Sequence, residues 1–365
     1  MARGIGRPEH KLLRPILHSG RGFMLFTGLL LILAVWFGYA WFVQLRYGLG
    51  VSGMRTPVGA AWGLYITNFI FFVGMAHGGI AIAAAIKLLK LNTYKPVARI
   101  GELVTVVSLS MAGIAIIIDM GRPDRVFNVI RYWPERVVSS PLSWDITVVF
   151  TYFVLSLTFL WLSMRSDMAK IIDKVGGVPG RKLIYRLLLV GYTPEEDKKV
   201  DDLTWWLSLA VVFLIVMLSG GVVAWIFGLL PSRPGWFGAL AGPYFLTAAI
   251  ASAIGGVIVI AAVLRKVFDW KEYIGLEVFT GLGRFLGVIT MFYLYLILAE
   301  QLTMRFAAPH SEKAVSDLLL KGELAIFYWP MLIGGFFIPS LFVVIQPFKK
   351  GRLSVPSIAI AAIFI

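Results

Sequence analysis

His77 falls deep inside an apolar run long enough to cross a bilayer, WGLYITNFIFFVGMAHGGIAIAAAIKLLK from Trp62 to Lys90. An imidazole in hydrocarbon is costly unless it faces a polar cavity or a partner, so its presence there marks a candidate functional group. At 100° per residue its neighbours are Ile70, Gly74, Ala81 and Ala84, mostly small residues, which aims His77 at other helices and away from lipid. A carboxylate complements it. The segment SSPLSWDITVVFTYFVLS places Asp145, Tyr152 and Ser156 on one helical stripe, with Asp145 in the first turn, where the helix dipole favours negative charge. An aspartate in that position serves equally well as a capping acid at the membrane surface. The preceding loop argues for more. Arg122, Arg125, Arg131 and Arg136 lead into Ser140, and Tyr65, Asn68, Trp144 and Tyr152 can add ring stacking and hydrogen bonds. An apolar cleft with a few convergent polar groups suits a lipid-soluble molecule with an aromatic head. A histidine and a carboxylate facing it can between them accept the two protons that a hydroquinone loses on oxidation.

The next apolar run carries Glu102, Thr105, Ser108, Ala112 and Asp119 within about a third of a helix circumference and ends in IDMGRPDR. Such a stripe is a candidate proton route toward the His77 level. Small-residue packing, with the hydroxyls bonded to the preceding turn, explains it as well. Further along, Arg284 lies mid-helix two turns from Glu277, and Glu300 with Gln301 lies at the far end of that helix. A buried Arg–Glu pairing across helices and a proton-transfer element are both open readings.

These residues must be positioned by membrane helices. The chain is 59% hydrophobic and 15% charged, with a mean hydropathy of +0.83, unlike a soluble domain. Runs of spanning length occur near 23–45, 62–89, 100–119, 143–164, 205–230, 240–264, 277–300 and 322–345. A ninth begins near Ser354 and is still apolar at Ile365, so a helix cut short or continued elsewhere is expected. The first run is about twice as long as a signal-peptide core and has no small-residue cleavage pattern, so it reads as a retained helix. The N-terminus and the connections on its side hold 23 Lys and Arg against 10 on the other. By the positive-inside rule the N-terminus is cytoplasmic, in the cell membrane. The net charge of +14 is then a cytoplasmic-face signature, pointing to anionic lipid and not to nucleic acid.

The chain has no cysteine, which excludes disulfides, thiolate zinc sites, protein-ligated iron–sulfur clusters and covalently attached c-type haem. Of its four histidines, His10 and His18 belong to the N-terminal tail and His310 to an external loop. A bis-histidine haem would need two in the membrane, so no haem and no metal site are expected in this chain.

GGIAIAAAIK from Gly78 and GGVIVIAAVLRK from Gly255 match at an offset of 177, pairing Ile80 with Val257, Ala84 with Ala261 and Ala85 with Ala262. Chance likeness of glycine-rich apolar segments is the alternative. The expected architecture is an all-α polytopic membrane protein of two parallel four-helix repeats. Its divisions are a tail over 1–22, a first bundle over 23–164 with the candidate site, a cytoplasmic connector over 165–204, a second bundle over 205–345, and a loop with the start of a ninth helix over 346–365. The second repeat has Ile254 where the first has His77. Within the connector, 181–190 has the pattern of an amphipathic surface helix or a solvated link.

WGLYITNFIFFVGMAHGG, then DMGRPDR, then SPLSWD, resembles the NrfD/PsrC family of quinone-interacting membrane subunits over essentially the whole chain, and within it the DsrP branch associated with dissimilatory sulfite reduction. The resemblance implies ten helices and a cofactor-free subunit. Such a subunit binds menaquinol or menaquinone near the external face and exchanges electrons with a docked ferredoxin-like iron–sulfur subunit, alongside other membrane and cytoplasmic redox subunits. It also implies that His77, in the GxAH motif, and Asp145, in SPLxWD, bind the quinol. Some relatives have histidine before GRP where this chain has Asp119-Met120. The rival classes are a small-anion transporter, with Gly78-Gly79 and Gly255-Gly256 as helix breaks, and a structural anchor for soluble redox subunits.

Overall fold

The computed structural model describes residues 12, 13, 15, 20–53, 55–56, 59–60, 63–174, 179–306, 309–348 and 354–365. His10 and His18, most of the N-terminal tail and the Lys349–Arg352 connection lie outside the described residues. The chain is helical, apart from a two-residue antiparallel pairing of Arg55–Thr56 with Gly59–Ala60. In hydrocarbon every backbone N–H and C=O must be satisfied within its own segment, and these long apolar runs do so as helices.

The long helices are α1 (Arg21–Tyr47), α2 (Leu64–Leu88), α3 (Lys95–Asp119), α4 (Pro141–Ile171), α5 (Glu196–Leu214), α6 (Ala241–Val267) and α7 (Leu276–Phe306). They are followed by α8 (Ala325–Pro330, continued through Met331–Phe337 to Ile338–Phe348) and α9 (Val355–Ile363). Among the described residues, α1 to α8 are long and apolar enough to cross a membrane, which makes this an integral membrane protein. Pro141 starts α4 at a position where its missing N–H costs nothing. Ser354 caps α9 by accepting from the Ser357 amide. The turn after α3 passes through Gly121, at φ 65°.

Helix α2 is central. It crosses α3 so closely that a Cβ on Gly79 would sit 2.8 Å from the Gly101 carbonyl oxygen, and one on Gly101 2.6 Å from the Gly79 oxygen. Its other side meets α6, where a Cβ on Gly78 would sit 2.6 Å from the Ala249 oxygen. Small residues let these backbones approach, which is how helices associate where no hydrophobic force separates protein from lipid. Both α2 and α6 run unbroken through their Gly-Gly pairs, so these pairs are packing surfaces and not breaks. The wide π-helical turns fall elsewhere, at Ile215–Val223 after α5 and Met331–Phe337 within α8.

One core, built on Phe69, Val73, Leu109, Val148, Tyr152 and Val211, joins α2, α3, α4 and α5. A second, built on Ile254, Ile258, Phe279, Leu286, Phe342 and Ile358, joins α6, α7, α8 and α9 with the adjoining ends of α2 and α3. This grouping differs from the expected 23–164 and 205–345 bundles, because α5 takes the place assigned to α1. Helix α1 is exposed along almost its whole length, and Gln44 is its one buried residue among those described. A uniformly apolar helix reads the same whether lipid or protein covers it, so sequence alone could not place α1 outside the bundle. The repeat read at an offset of 177 residues would pair α2 with α6.

The amphipathic helix expected at 181–190 forms at Pro179–Leu188. It is held to the end of α4, where the Trp161 indole N–H donates to Leu188 O and Arg165 donates to Val190 O.

Candidate functional site

The spacing on α4 puts Asp145, Tyr152 and Ser156 on one stripe of the helix, and His77, in the middle of α2, meets that stripe at Tyr152. The His77 and Tyr152 rings stand edge to face, 4.5 Å between centroids. His77, Tyr152 and Ser156 are each about 1% exposed and Asp145 8%. Among the described residues, the two ring nitrogens of His77, one carboxylate oxygen of Asp145 and the hydroxyls of Tyr152 and Ser156 are buried and have no hydrogen-bond partner of good geometry, although the Val73 backbone, one turn back on α2, interacts with the His77 ring. Buried polar atoms in folded proteins are nearly always paired, and each orphan costs about 1–3 kcal/mol. These four side chains, three along one stripe of α4 and His77 meeting it at Tyr152, therefore form a surface chemically suited to a ligand with hydrogen-bonding groups on an apolar frame. Asp145 lies two turns, about 10 Å, from Tyr152 along α4, so the cluster is elongated parallel to the helices.

The other residues expected at the site do not converge on it. The Tyr65 hydroxyl donates to Gln44 Oε1 at 2.5 Å, while Gln44 Nε2 donates to Ile118 O at 2.9 Å, a latch joining α1, α2 and α3. Gln44 was not among the expected residues, although a lone amide in an otherwise apolar helix is the signal that could have found it. Asp119, at the end of α3, lies within electrostatic reach of Tyr65. Asn68 is half-buried on α2. Arg122 is exposed and pairs with Asp124 at 2.8 Å, and these hydrogen bonds hold the Asp124 carboxyl below its ordinary range. The Trp144 indole donates to Val137 O, and the Ser140 amide donates to Arg136 O at 2.9 Å, so both fasten the loop that leads into α4.

On α3 the expected stripe is buried at Glu102, Thr105 and Ser108. Arg99 donates to Glu102 at 3.0 Å and also reaches Ser163 O and Asp167 on α4. Thr105 donates to Gly101 O at 2.9 Å and to Ala76 O at 3.0 Å, the peptide oxygen next to His77. The stripe thus runs from an ion-paired carboxylate to the level of the imidazole. Arg284 corrects an expectation. It is exposed on the outer face of α7, as is Glu277, so the two form no buried pair. The outward face of an apolar helix is indistinguishable from its inward face where both carry large side chains. Glu300 is half-buried 16 residues further along α7, about 24 Å from Arg284, and the two share no site.

Two cavities flank the cluster, and neither is lined by His77 or Asp145. One, of about 580 Å³, opens at the basic end of α2–α5 beside Lys87, Lys95, Arg99, Glu102, Asp167 and Asp201. The other, of about 650 Å³, lies at the opposite end among α6, α7, the start of α8, Ala224 and Phe227, the loop before α6 and the helix His310–Leu320.

A family model described as Polysulphide reductase, NrfD matches residues 50–365. Among similar proteins, the membrane subunit of a putative dimethyl sulfoxide reductase from Halobacterium salinarum is 30% identical over 96% of this chain and 77% of its own length. A selenate reductase subunit from Mesobacillus selenatarsenatis is 24% identical, covering 85% of this chain and 72% of its own length. The Hdr-like menaquinol oxidoreductase integral membrane subunit of Archaeoglobus fulgidus is 23% identical, over 84% and 67%.

Proposed function

The chain belongs to the NrfD family, and from that membership together with the His77 cluster we propose that it is the quinone-reactive membrane subunit of a respiratory oxidoreductase complex. The observation that carries this reading is the set of unpartnered polar side chains formed by His77 and the α4 stripe it meets at Tyr152. In the proposed reaction a quinol lies along the His77–Asp145 face and is oxidised to the quinone. Its two hydroxyl protons pass to an imidazole nitrogen of His77 and to the Asp145 carboxylate, and its two electrons pass to the iron–sulfur clusters of a docked partner subunit. Tyr152 and Ser156 orient the head group through their unpartnered hydroxyls. Menaquinol is the proposed quinol, the one named in the Archaeoglobus relative. Assembly with a dissimilatory sulfite-reduction complex is the narrowest form of the proposal.

The orientation in this reading sets the basic end in the cytoplasm and the Asp145 end outside, where the iron–sulfur partner docks. Glu102, Thr105 and Ser108 then lie between the cytoplasmic face and His77 as a proton connection.

The test is quinol-dependent reduction of the partner's clusters in the intact complex. His77→Ala and Asp145→Asn are each expected to slow it about 10²-fold, the usual weight of a positioned acid–base group. Wild-type rates in both variants would remove the assignment.

A further inference from the structure

The cavity of about 650 Å³ at the Asp145 end is a built site that the His77 cluster does not use. Ile70 of α2 contributes to its wall, two turns from His77 along the same helix. Its floor is aromatic. Tyr244 of α6 lies 4.6 Å from Tyr293 of α7, and Tyr293 lies 4.4 Å from Phe336 of α8, centroid to centroid. Trp236 and Phe237 come down from the loop before α6. That loop is pinned over the cavity: Gly235, at φ 82°, donates its N–H to Glu312 at 3.0 Å. The helix His310–Leu320, which carries Glu312, is tied in turn to α7 by Ser316 donating to Gln301 at 2.7 Å and by Arg305 bonding Ser316 and Asp317.

Two carboxylates line it, Glu312, which already accepts from the Gly235 N–H, and, within the aromatic wall, Glu300. The phenols of Tyr244, Tyr293 and Tyr328 all lie within its electrostatic reach, and among the described residues no cation pairs with it. A carboxylate so placed calls for a neutral hydrogen-bond donor, which a lipid acyl chain cannot supply. The rings offer stacking faces, and the volume falls in the range of small-molecule sites. We propose that this cavity is a second binding site for a membrane-soluble hydroquinone, its ring among Tyr244, Tyr293 and Trp236 and one hydroxyl donating to Glu300. The proposal is independent of the His77–Asp145 reading, because its walls come chiefly from α6, α7, the loop before α6 and the helix His310–Leu320.

The test is photolabelling of the intact complex in phospholipid nanodiscs with an azido-menaquinone, adducts being mapped by mass spectrometry. Adducts are expected on α6 and α7 near Tyr244 and Tyr293, competed by unlabelled menaquinone. They should fall about tenfold with Glu300→Gln, the weight of one hydrogen bond to a charged group. Ala248→Phe, which fills the cavity and leaves every polar group in place, should abolish them, and monodisperse elution of both variants excludes misfolding. Adducts confined to α2 and α4 would overturn this site and leave the His77 reading standing. Adducts confined to α6–α8 would do the reverse. Labelling on α6–α8 that survives Ala248→Phe, or that excess phospholipid or tetraethylammonium displaces and menaquinone does not, would also overturn the proposal.

Discussion

Tyr152 buries a hydroxyl that no described residue answers, whereas Thr105, one helix away, spends its hydroxyl on two carbonyls. In the proposed reading, the contrast separates a group kept for a ligand from one kept for the fold. Tyr152→Phe removes an unsatisfied donor, so thermal stability in detergent should hold or rise by about 1 kcal/mol, while quinol turnover in the complex falls. Thr105→Val should do the opposite and cost about 1 kcal/mol through its lost bonds. A stability loss in Tyr152→Phe would mean that its hydroxyl is structural. His77 and the Asp145–Tyr152–Ser156 stripe were legible in the sequence because an ionisable group in a spanning run is rarely idle and helical spacing fixes its neighbours. Arg122 and Trp144 were read as lining; Arg122 pairs within its own loop with Asp124, and the Trp144 indole, in the first turn of α4, donates back to Val137 O. Spacing does not reveal which partner takes the donor.

At the level of elements, four Gly-Gly pairs within the spanning helices share one sequence signature and have two outcomes. Gly78-Gly79 and Gly255-Gly256 lie in regular α-helix, whereas Gly220-Gly221 and Gly334-Gly335 lie in the π-helical stretches. A π turn accommodates an extra residue where the neighbouring packing requires it, often near functional sites, so helix existence was legible and its local winding was not. The α2–α3 crossing can be tested directly. Any side chain at Gly79 meets backbone and Thr105 on α3, neither of which can swing aside. Gly79→Leu should therefore cost more than the roughly 1–3 kcal/mol of ordinary overpacking. It should lower the melting temperature or the yield of folded protein, while Gly113→Leu, where the space is open, should leave both unchanged. Equal effects at the two positions would refute the close crossing.

Taken whole, the molecule is two interlocked helix sets with α1 alongside, and its charge is lopsided along the membrane normal. Eight spanning runs could be counted in the sequence because hydrocarbon thickness sets their length. The partner of each helix could not, since apolar surface against lipid and against protein look alike. The proposed orientation rests on charge: Lys87, Lys90, Lys95 and Arg99 lie at and between the adjoining ends of α2 and α3, and Arg265, Lys266 and Lys271 at the end of α6 and in the link to α7, where crossing the bilayer would be expensive. Because the chain has no cysteine, a single introduced thiol reports one position. Cysteines replacing Thr93 and Glu272, both exposed at the basic end, should react with a membrane-impermeant maleimide in inside-out vesicles and not in intact cells. Cysteines replacing Ser139 and Lys313, exposed at the opposite end, should show the reverse. The opposite pattern would turn the Asp145 end and the 650 Å³ cavity toward the cytoplasm and move the proposed iron–sulfur partner with them. A mixed pattern, with Thr93 and Glu272 on different sides, would contradict the parallel relation of α2 to α6 on which the two-set architecture depends.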